Sequence, residues 1–332
     1  MRFIRNILKK SPLVVKIIKK ILNFRHNSKI DNSLINKLEE SSTELSDLPI
    51  QFSSEIYSSY IDLKDMNEDN LYNHYINYGE KEGRVSNAIP NRLAFLKLLS
   101  NKNKTILEIG PFTTPSISGS NVKYFDLMNI DELRKRAKRH NHHIGNINKI
   151  DFISPTGDLS VIKQKFDYVL SSHCVEHQPD LISHLQKISK ILIKEGYYFL
   201  IIPDKRYCFD ALLPNTSISK IVECYLEKRT IHSPSSIIEH RALTTHNDVG
   251  RHWKGDHKSE HDLVSRVQLA LNEIKKNPNT YIDVHSLQFT PTSFCEVIDL
   301  LFNLKFIKLS VERCYPTVIN SNEFFVILKN QQ

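Results

Sequence analysis

Residues 104–113, Lys-Thr-Ile-Leu-Glu-Ile-Gly-Pro-Phe-Thr, constrain this chain more than any other stretch. The run 105–109 is short, largely apolar and β-branched, and it stops at Gly110-Pro111. That pattern reads as a buried strand emptying into a tight turn. An open α/β sheet places its ligand at this point, outside the carboxyl end of its first strand. Glu108 lies near the strand's end, so an acid is carried to the edge of that ligand position.

The segments that follow repeat the unit. A second strand, 122–125, is closed by Asp126. A carboxylate there accepts hydrogen bonds from the two hydroxyls of a ribose in doubly wound nucleotide-binding folds. The plainer reading of such an acid is the N-cap of the next helix, here 131–140. A third strand near 147–153 contains Asp151 and Phe152. A fourth, 166–173, ends in Ser172-His173, and a helix is expected over 181–193. Gly196 turns the chain into a buried strand, 197–202, which leaves abruptly at Pro203-Asp204. Strands alternating with helices imply parallel βαβ units and a sheet covered on both faces. Near the C-terminus, Thr290-Pro291 reads as a helix start. Segments 306–311 and 323–328 then read as a closing, hairpin-like pair of strands.

Four motifs, ILEIGPF, YFDL, FDYVLSSHCVEH and GYYFLIIPDKRYCFD, occur in order and at regular separations. Together they resemble the class I S-adenosylmethionine-dependent methyltransferases. The resemblance implies a Rossmann-like α/β sheet of seven strands, mostly parallel with an antiparallel last strand, here preceded by an N-terminal helical extension. It also implies S-adenosylmethionine as cofactor. Glu108, Gly110 and Pro111 would lie by its methionine portion, Asp126 by its ribose, and Asp151 or Phe152 by its adenine. Ser172 and His173 would border the sulfonium. The family's later loop glycines are Phe112 and Thr114 here. A pyrophosphate needs those glycines to approach the backbone, so their loss counts against a nucleotide-sugar oxidoreductase or epimerase. A catalytically inactive cofactor-binding module is the other alternative.

Residues 211–290 form an insert rich in histidine and acid, including Glu239, His240, His246, Asp248, His252, Asp256 and His257. In the family the sequence resembles, such insertions cap the active site and select the substrate. Methyl transfer to a hydroxyl needs the proton removed from the attacking oxygen, and a histidine suits that task. His246, with His173 or His177, is the candidate base. The alternative for each is substrate binding or loop hydrogen bonding, and Glu176 reads equally well as a helix cap. In the competing reading several of these side chains bind a divalent metal that lowers the pKa of the acceptor hydroxyl; no stretch has the spacing of a compact metal site, so no residue is assigned to a metal.

The charge of the chain is local. Residues 1–30 hold nine of the 45 lysines and arginines and no acid, leaving 36 basic against 37 acidic residues elsewhere. A nucleic-acid-binding body is therefore not expected. The same 30 residues space their apolar side chains helically and suit an anionic membrane surface, chiefly through 1–24. Residues 31–51 read as a linker. The tyrosine-rich stretch 52–90, with NLYNHYINYGEKEGRVSN at 70–87, resembles a short module found beside bacterial glycosyltransferases and related surface-glycan enzymes. The methyltransferase-like domain is assigned to 91–332. The expectation is an O-methyltransferase of surface-glycan biosynthesis, cytoplasmic and peripheral at the inner membrane. Its acceptor would be a sugar or phosphate on a glycan or glycolipid, with glycan-assembly enzymes as partners. The five cysteines are odd in number and scattered, which fits a reducing compartment.

Overall fold

The computed structural model describes residues 48–145, 149–259 and 262–332. The expectations for residues 1–30 and most of the linker lie outside these described residues. Among them, no helix is long and apolar enough to cross a membrane. Pro49–Pro90 belong to one compact unit and Asn91–Gln332 to another.

The smaller unit is built on aromatic packing. Tyr57, Tyr60, Leu63, Leu71 and Tyr75 are buried together, with Phe52 against them. Helix α1, Glu68–His74, is capped by Asn67 and runs into a wider π-turn, Tyr75–Gly79. At Gly79 the turn passes so close to the Tyr57 ring that a Cβ would stand 1.9 Å from its hydroxyl. It is Gly83, at φ +66°, that makes the left-handed turn. Arg84 then locks the unit through two hydrogen bonds to Asp62.

The larger unit contains one seven-stranded sheet. In chain order its strands are β1 Ile106–Ile109, β2 Val122–Asp126, β3 Phe152–Ile153, β4 Phe166–Ser172, β5 Leu192–Pro203, β6 Leu309–Tyr315 and β7 Glu323–Asn330. They lie in the order 3-2-1-4-5-7-6. The first five run parallel, and β7 is antiparallel to both β5 and β6. Buried on both faces, β1, β4 and β5 read as nearly unbroken apolar runs, as parallel strands must. The expected third strand proves to be two residues long, the sixth lies three to four residues later than the apolar run suggested, and the seventh starts where expected and ends two residues later.

Helix α2 is Arg92–Lys97. Helix α3, Ile130–Arg139, starts with an Asn129–Glu132 capping box and ends in basic residues, matching its dipole. Helix α4, Leu181–Ile191, buries Leu181, Ile182, Leu185 and Ile188 against the sheet. The insert folds into α5 Ile218–Leu226, α6 Pro234–Leu243, α7 Val249–Trp253 and α8 Leu263–Lys276. It has a small core of its own in Ile237, Ile282 and Val284. Trp253 stacks flat on Tyr207 at 3.7 Å and donates to Ser321 O, tying α7 to the approach of β7. Helix α9, Pro291–Asn303, is capped by Thr290 with proline at its first position.

His184 on α4 is buried inside this core beside the Tyr198 hydroxyl, 3.1 Å from its Nε2. Burial pushes its pKa down to about 3. The unfolded histidine titrates near 6.5, so on acidification the unfolded chain takes up the proton first. Stability from this group is complete above pH 6.5 and is lost as pH falls toward 3, at about 1.4 kcal/mol per pH unit. We expect His184→Gln to lessen the stability lost between pH 7 and pH 5 by about 2 kcal/mol. Urea unfolding of both proteins at the two pH values measures it.

Candidate active site

The register of the parallel strands assembles the site. Ile109 pairs with Phe125 on one side and Ser171 on the other. Gly110, Asp126 and Ser172 therefore share one level at the carboxyl edge of the sheet. Pro203 at the end of β5 pairs with Glu323, so the start of β7 brings that carboxylate to the same edge.

Gly110 adopts φ +69°, and a Cβ there would stand 2.8 Å from Cys174 Sγ. Glycine is thus required by both the turn and the sulfur packed beneath it. Beyond it, Phe112 also takes a left-handed backbone, φ +50°. The loop is held by two acids. Glu108 accepts from Ser116 N at 2.7 Å and Ile117 N at 3.3 Å. Asp126 accepts from Phe112 N at 3.2 Å and Leu127 N at 2.7 Å. Burial raises the pKa of both carboxyls, against the pull of those amides. Glu108 is therefore a brace for the loop, with both oxygens engaged by backbone. Asp126 keeps acceptor capacity, since a carboxylate has about four lone-pair positions and two are used.

Asp151 does not join this group. The β2–β3 register sets Ile153 opposite Asp126, which leaves Asp151 level with Tyr124, toward the amino ends of the strands. Its carboxylate is committed to Lys149 at 2.8 Å, Lys123 at 3.3 Å and Tyr124 N at 3.1 Å. Phe152 is half-buried and packs edge-on to Phe166.

At the end of β4 the chain turns sharply through His173, φ +53°. A non-glycine residue held there stores strain, and such strain gathers at functional positions. His173 Nε2 lies 2.8 Å from Glu323 Oε1, and its Nδ1 lies 3.5 Å from Glu176 Oε1. Burial lowers its pKa, but the two carboxylates outweigh it and the net shift is upward. Arg92, at the start of α2, donates to Glu323, Ser116 and Ser172. One guanidinium thus ties the β1 loop, the end of β4 and the start of β7.

Glu176 and His177 follow in a 3₁₀ turn, Val175–His177. His177 Nδ1 stands 2.9 Å from Asp283 Oδ1, and its Nε2 faces Glu176 Oε1 at 4.0 Å. Burial again lowers this pKa and is outweighed by Asp283 and Glu176. Asp283 is correspondingly held well below the usual carboxylate range, chiefly by its hydrogen bond with His177. The extended stretch after α8 contributes a second such pair, His285 Nδ1 to Asp210 Oδ2 at 2.6 Å. The two imidazoles meet edge to face, 4.6 Å between ring centres.

His246, the third candidate base, stays apart. Its Nε2 pairs with Asp256 O and its Nδ1 accepts from Asp248 N. Both nitrogens are consumed by the loop, so no lone pair remains to take a substrate proton. His252 likewise bonds His246 O and His257. These histidines shape the insert.

Sequence reasoning missed Arg92, Glu323, Asp210 and the Asp283–His285 pair. Only the last left a signal, because an acid and a histidine two residues apart in an extended segment face the same side.

A sheet of this order, with an acid ending its second strand and a bent polar turn ending its fourth, defines the class I S-adenosylmethionine-dependent methyltransferase fold. A family profile described as a methyltransferase domain matches residues 80–269, and the chain belongs to that family. S-adenosylmethionine is its methyl donor. Among solved structures, the chain is similar to an S-adenosylmethionine-dependent methyltransferase from Clostridium acetobutylicum ATCC 824, at 12% identity and TM-score 0.36, covering 80% of this chain and 98% of that one. It is also similar to the DszA carbon methyltransferase, at 14% identity and TM-score 0.34, covering 72% of this chain and 52% of that one. For the mitomycin 7-O-methyltransferase MmcR the values are 12%, 0.33, 68% and 48%. The chain thus spans about half the length of the latter two. No curated protein matches the sequence.

The residues at the sheet edge fit the cofactor. The Gly110 backbone is exposed, and buried Asp126 has acceptor positions left for two ribose hydroxyls. Charge-assisted hydrogen bonds contribute about 1.5–3 kcal/mol, so Asp126→Ala is expected to weaken S-adenosylmethionine binding roughly 10- to 100-fold. Asp151→Ala should leave binding little changed. Equilibrium binding of labelled cofactor measures both, and the reverse ranking would exchange the two assignments.

Proposed function

We propose that the protein is an O-methyltransferase whose acceptor hydroxyl is received between His177, His285 and Glu176. The observation that carries this reading is the pair of histidine–carboxylate contacts, His177–Asp283 and His285–Asp210, converging on Glu176 a few residues past the strand-end Ser172. Such pairs fix an imidazole's orientation and support its charge when a proton arrives. Bound S-adenosylmethionine supplies an electrophilic methyl group on a cationic sulfur. Asp126 and the Gly110–Pro111 turn would hold its nucleoside and amino-acid parts. Ser172 and His173 would border the sulfonium, and Phe152 would lie on the adenine side.

The chain's own part is chiefly positioning, which can supply about 7–11 kcal/mol of a barrier when the reacting groups are held in line. His173 is a positioning residue, because its Nε2 is hydrogen-bonded to Glu323 at 2.8 Å and its left-handed backbone sets the turn after β4. The acceptor proton leaves through the His177–His285 cluster, and the insert α5–α8 shapes the acceptor's entry.

For the acceptor we propose a sugar or phosphate group of a surface polysaccharide or its lipid-linked precursor. Two sequence features support this. The tyrosine-rich module resembles those beside glycan enzymes, and the basic residues 1–30 suit an anionic membrane where such precursors lie. Glycan-assembly enzymes are the corresponding partners.

Positioned proton transfer contributes typically 10²–10⁴-fold. We expect His177→Gln to lower turnover within that range while cofactor affinity holds, and Asp283→Asn to lower it less. Production of S-adenosylhomocysteine with lipid-linked or polysaccharide acceptors is the assay. The label from the methyl donor should appear as an alkali-stable ether or a phosphate ester. Label found only on carbon would defeat the hydroxyl reading, and transfer only to small molecules would defeat the glycan one.

A further inference from the structure

Glu176 is the charge least accounted for by the protein's own hydrogen bonds. It is 1% exposed, and neither carboxylate oxygen has a hydrogen-bond partner among the described residues. The nearest imidazole nitrogens stop short, at 3.5 Å for His173 and 4.0 Å for His177. A buried carboxylate left in this state costs several kcal/mol, and buried charges are ordinarily paired or bound to a metal.

His177 and His285 face the same point. One nitrogen of each and one oxygen of Glu176 all lie within 4.8 Å of one another. On both rings Nδ1 lies beside an acid, at 2.9 Å from Asp283 Oδ1 for His177 and in a 2.6 Å hydrogen bond with Asp210 Oδ2 for His285, so Nε2 is the nitrogen left for a ligand. Metal-bound histidines are held in this way, the far nitrogen donating to a carboxylate so that the near lone pair points at the ion. The backbone fixes the approach as well. Ser286 N and Leu287 N both donate to Glu176 O, at 2.9 and 3.2 Å, which locks the His285 segment beside the 3₁₀ turn.

We infer that Glu176, His177 and His285 form a binding site for a divalent first-row cation, with Asp210 and Asp283 as the supporting acids. Two histidines and one glutamate make a donor set for Zn²⁺, and the same set with open positions takes Fe²⁺. A tetrahedral ion with bonds of about 2.0–2.1 Å sets its ligands roughly 3.4 Å apart, so the three groups close by about 1 Å or a little more on binding. With neutral imidazoles the five side chains carry three negative charges, and the ion reduces them to one. The site's use in catalysis rests on the hydroxyl reading above. With the ion bound, the two imidazoles are its ligands and no longer take the proton; the ion would instead lower the pKa of the acceptor hydroxyl, whose proton would pass to water. The binding itself does not depend on that reading.

The full chain, stripped with chelator, is titrated with Zn²⁺ by calorimetry and with Co²⁺ by visible absorption. One ion per chain is expected. Glu176→Gln and His285→Gln should each abolish that binding, and Asp210→Asn should weaken it about 10- to 100-fold. Glu176→Gln removes a buried charge that makes no hydrogen bond, so its stripped form should melt no lower than stripped wild type, which separates lost binding from lost fold. Should that variant fail to fold, the Asp210→Asn titration decides. No binding by wild type, or equal affinity in wild type and the variants, overturns the site. Methyl transfer that survives in the stripped enzyme removes the ion from the chemistry, whereas ion binding without methylation of any hydroxyl defeats the O-methyl reading and leaves the site standing.

Discussion

The parallel pairing of β1 with both β2 and β4 is the constraint on which the rest depends. Strands buried on both faces cannot continue past their ladder without stranding backbone groups, so all must leave the sheet at one edge. They leave by different means. Gly110 turns through a left-handed backbone, β2 stops at a carboxylate that caps two amides, and β4 bends through His173. Each device puts a polar group at the same level. The site is thus a product of the sheet's register, and the antiparallel return of β7 adds Glu323 to it.

Charge at this edge is organised by pairs that each serve two elements. Arg92 reaches three segments, and His173 spans the start of β7 and the turn after β4. Salt bridges of this kind contribute little net stability when set against their desolvation. Their effect is to fix geometry, because moving any one segment leaves a half-buried charge without its partner. Rigid placement of reacting groups is what a methyl transfer needs most from a protein.

The parts legible in the sequence were those written in local pattern. An apolar run ended by glycine and proline, an acid closing the next strand, and Thr290 before Pro291 each carry their structure in adjacent residues. The seven-stranded, mostly parallel sheet with an antiparallel last strand followed from the resemblance to a family. What escaped was set by contacts distant in sequence. Glu323 matters only because β7 returns antiparallel to β5, and Arg92 only because α2 starts beside three strand ends. Asp151 misled for the same reason, since its role depends on a register that places it toward the amino ends, between two lysines.

The histidine-rich insert shows why residue type alone misassigns function. His246 and His252 sit in the densest run of polar residues, yet their nitrogens are spent on the backbone of the short segment that carries them and, for His252, on the neighbouring His257 ring. His177 and His285 lie outside that run, one before the insert and one near its C-terminal end. Each has one nitrogen close to a carboxylate, His177 turns the other toward Glu176 at 4.0 Å, and one nitrogen of His285 lies within 4.8 Å of both partners. A histidine can act on a substrate or an ion only through a nitrogen the fold has not already used. Counting those nitrogens moves the candidate chemistry from the histidine-dense run to the extended segment 283–287, which is hydrogen-bonded to the turn that follows β4.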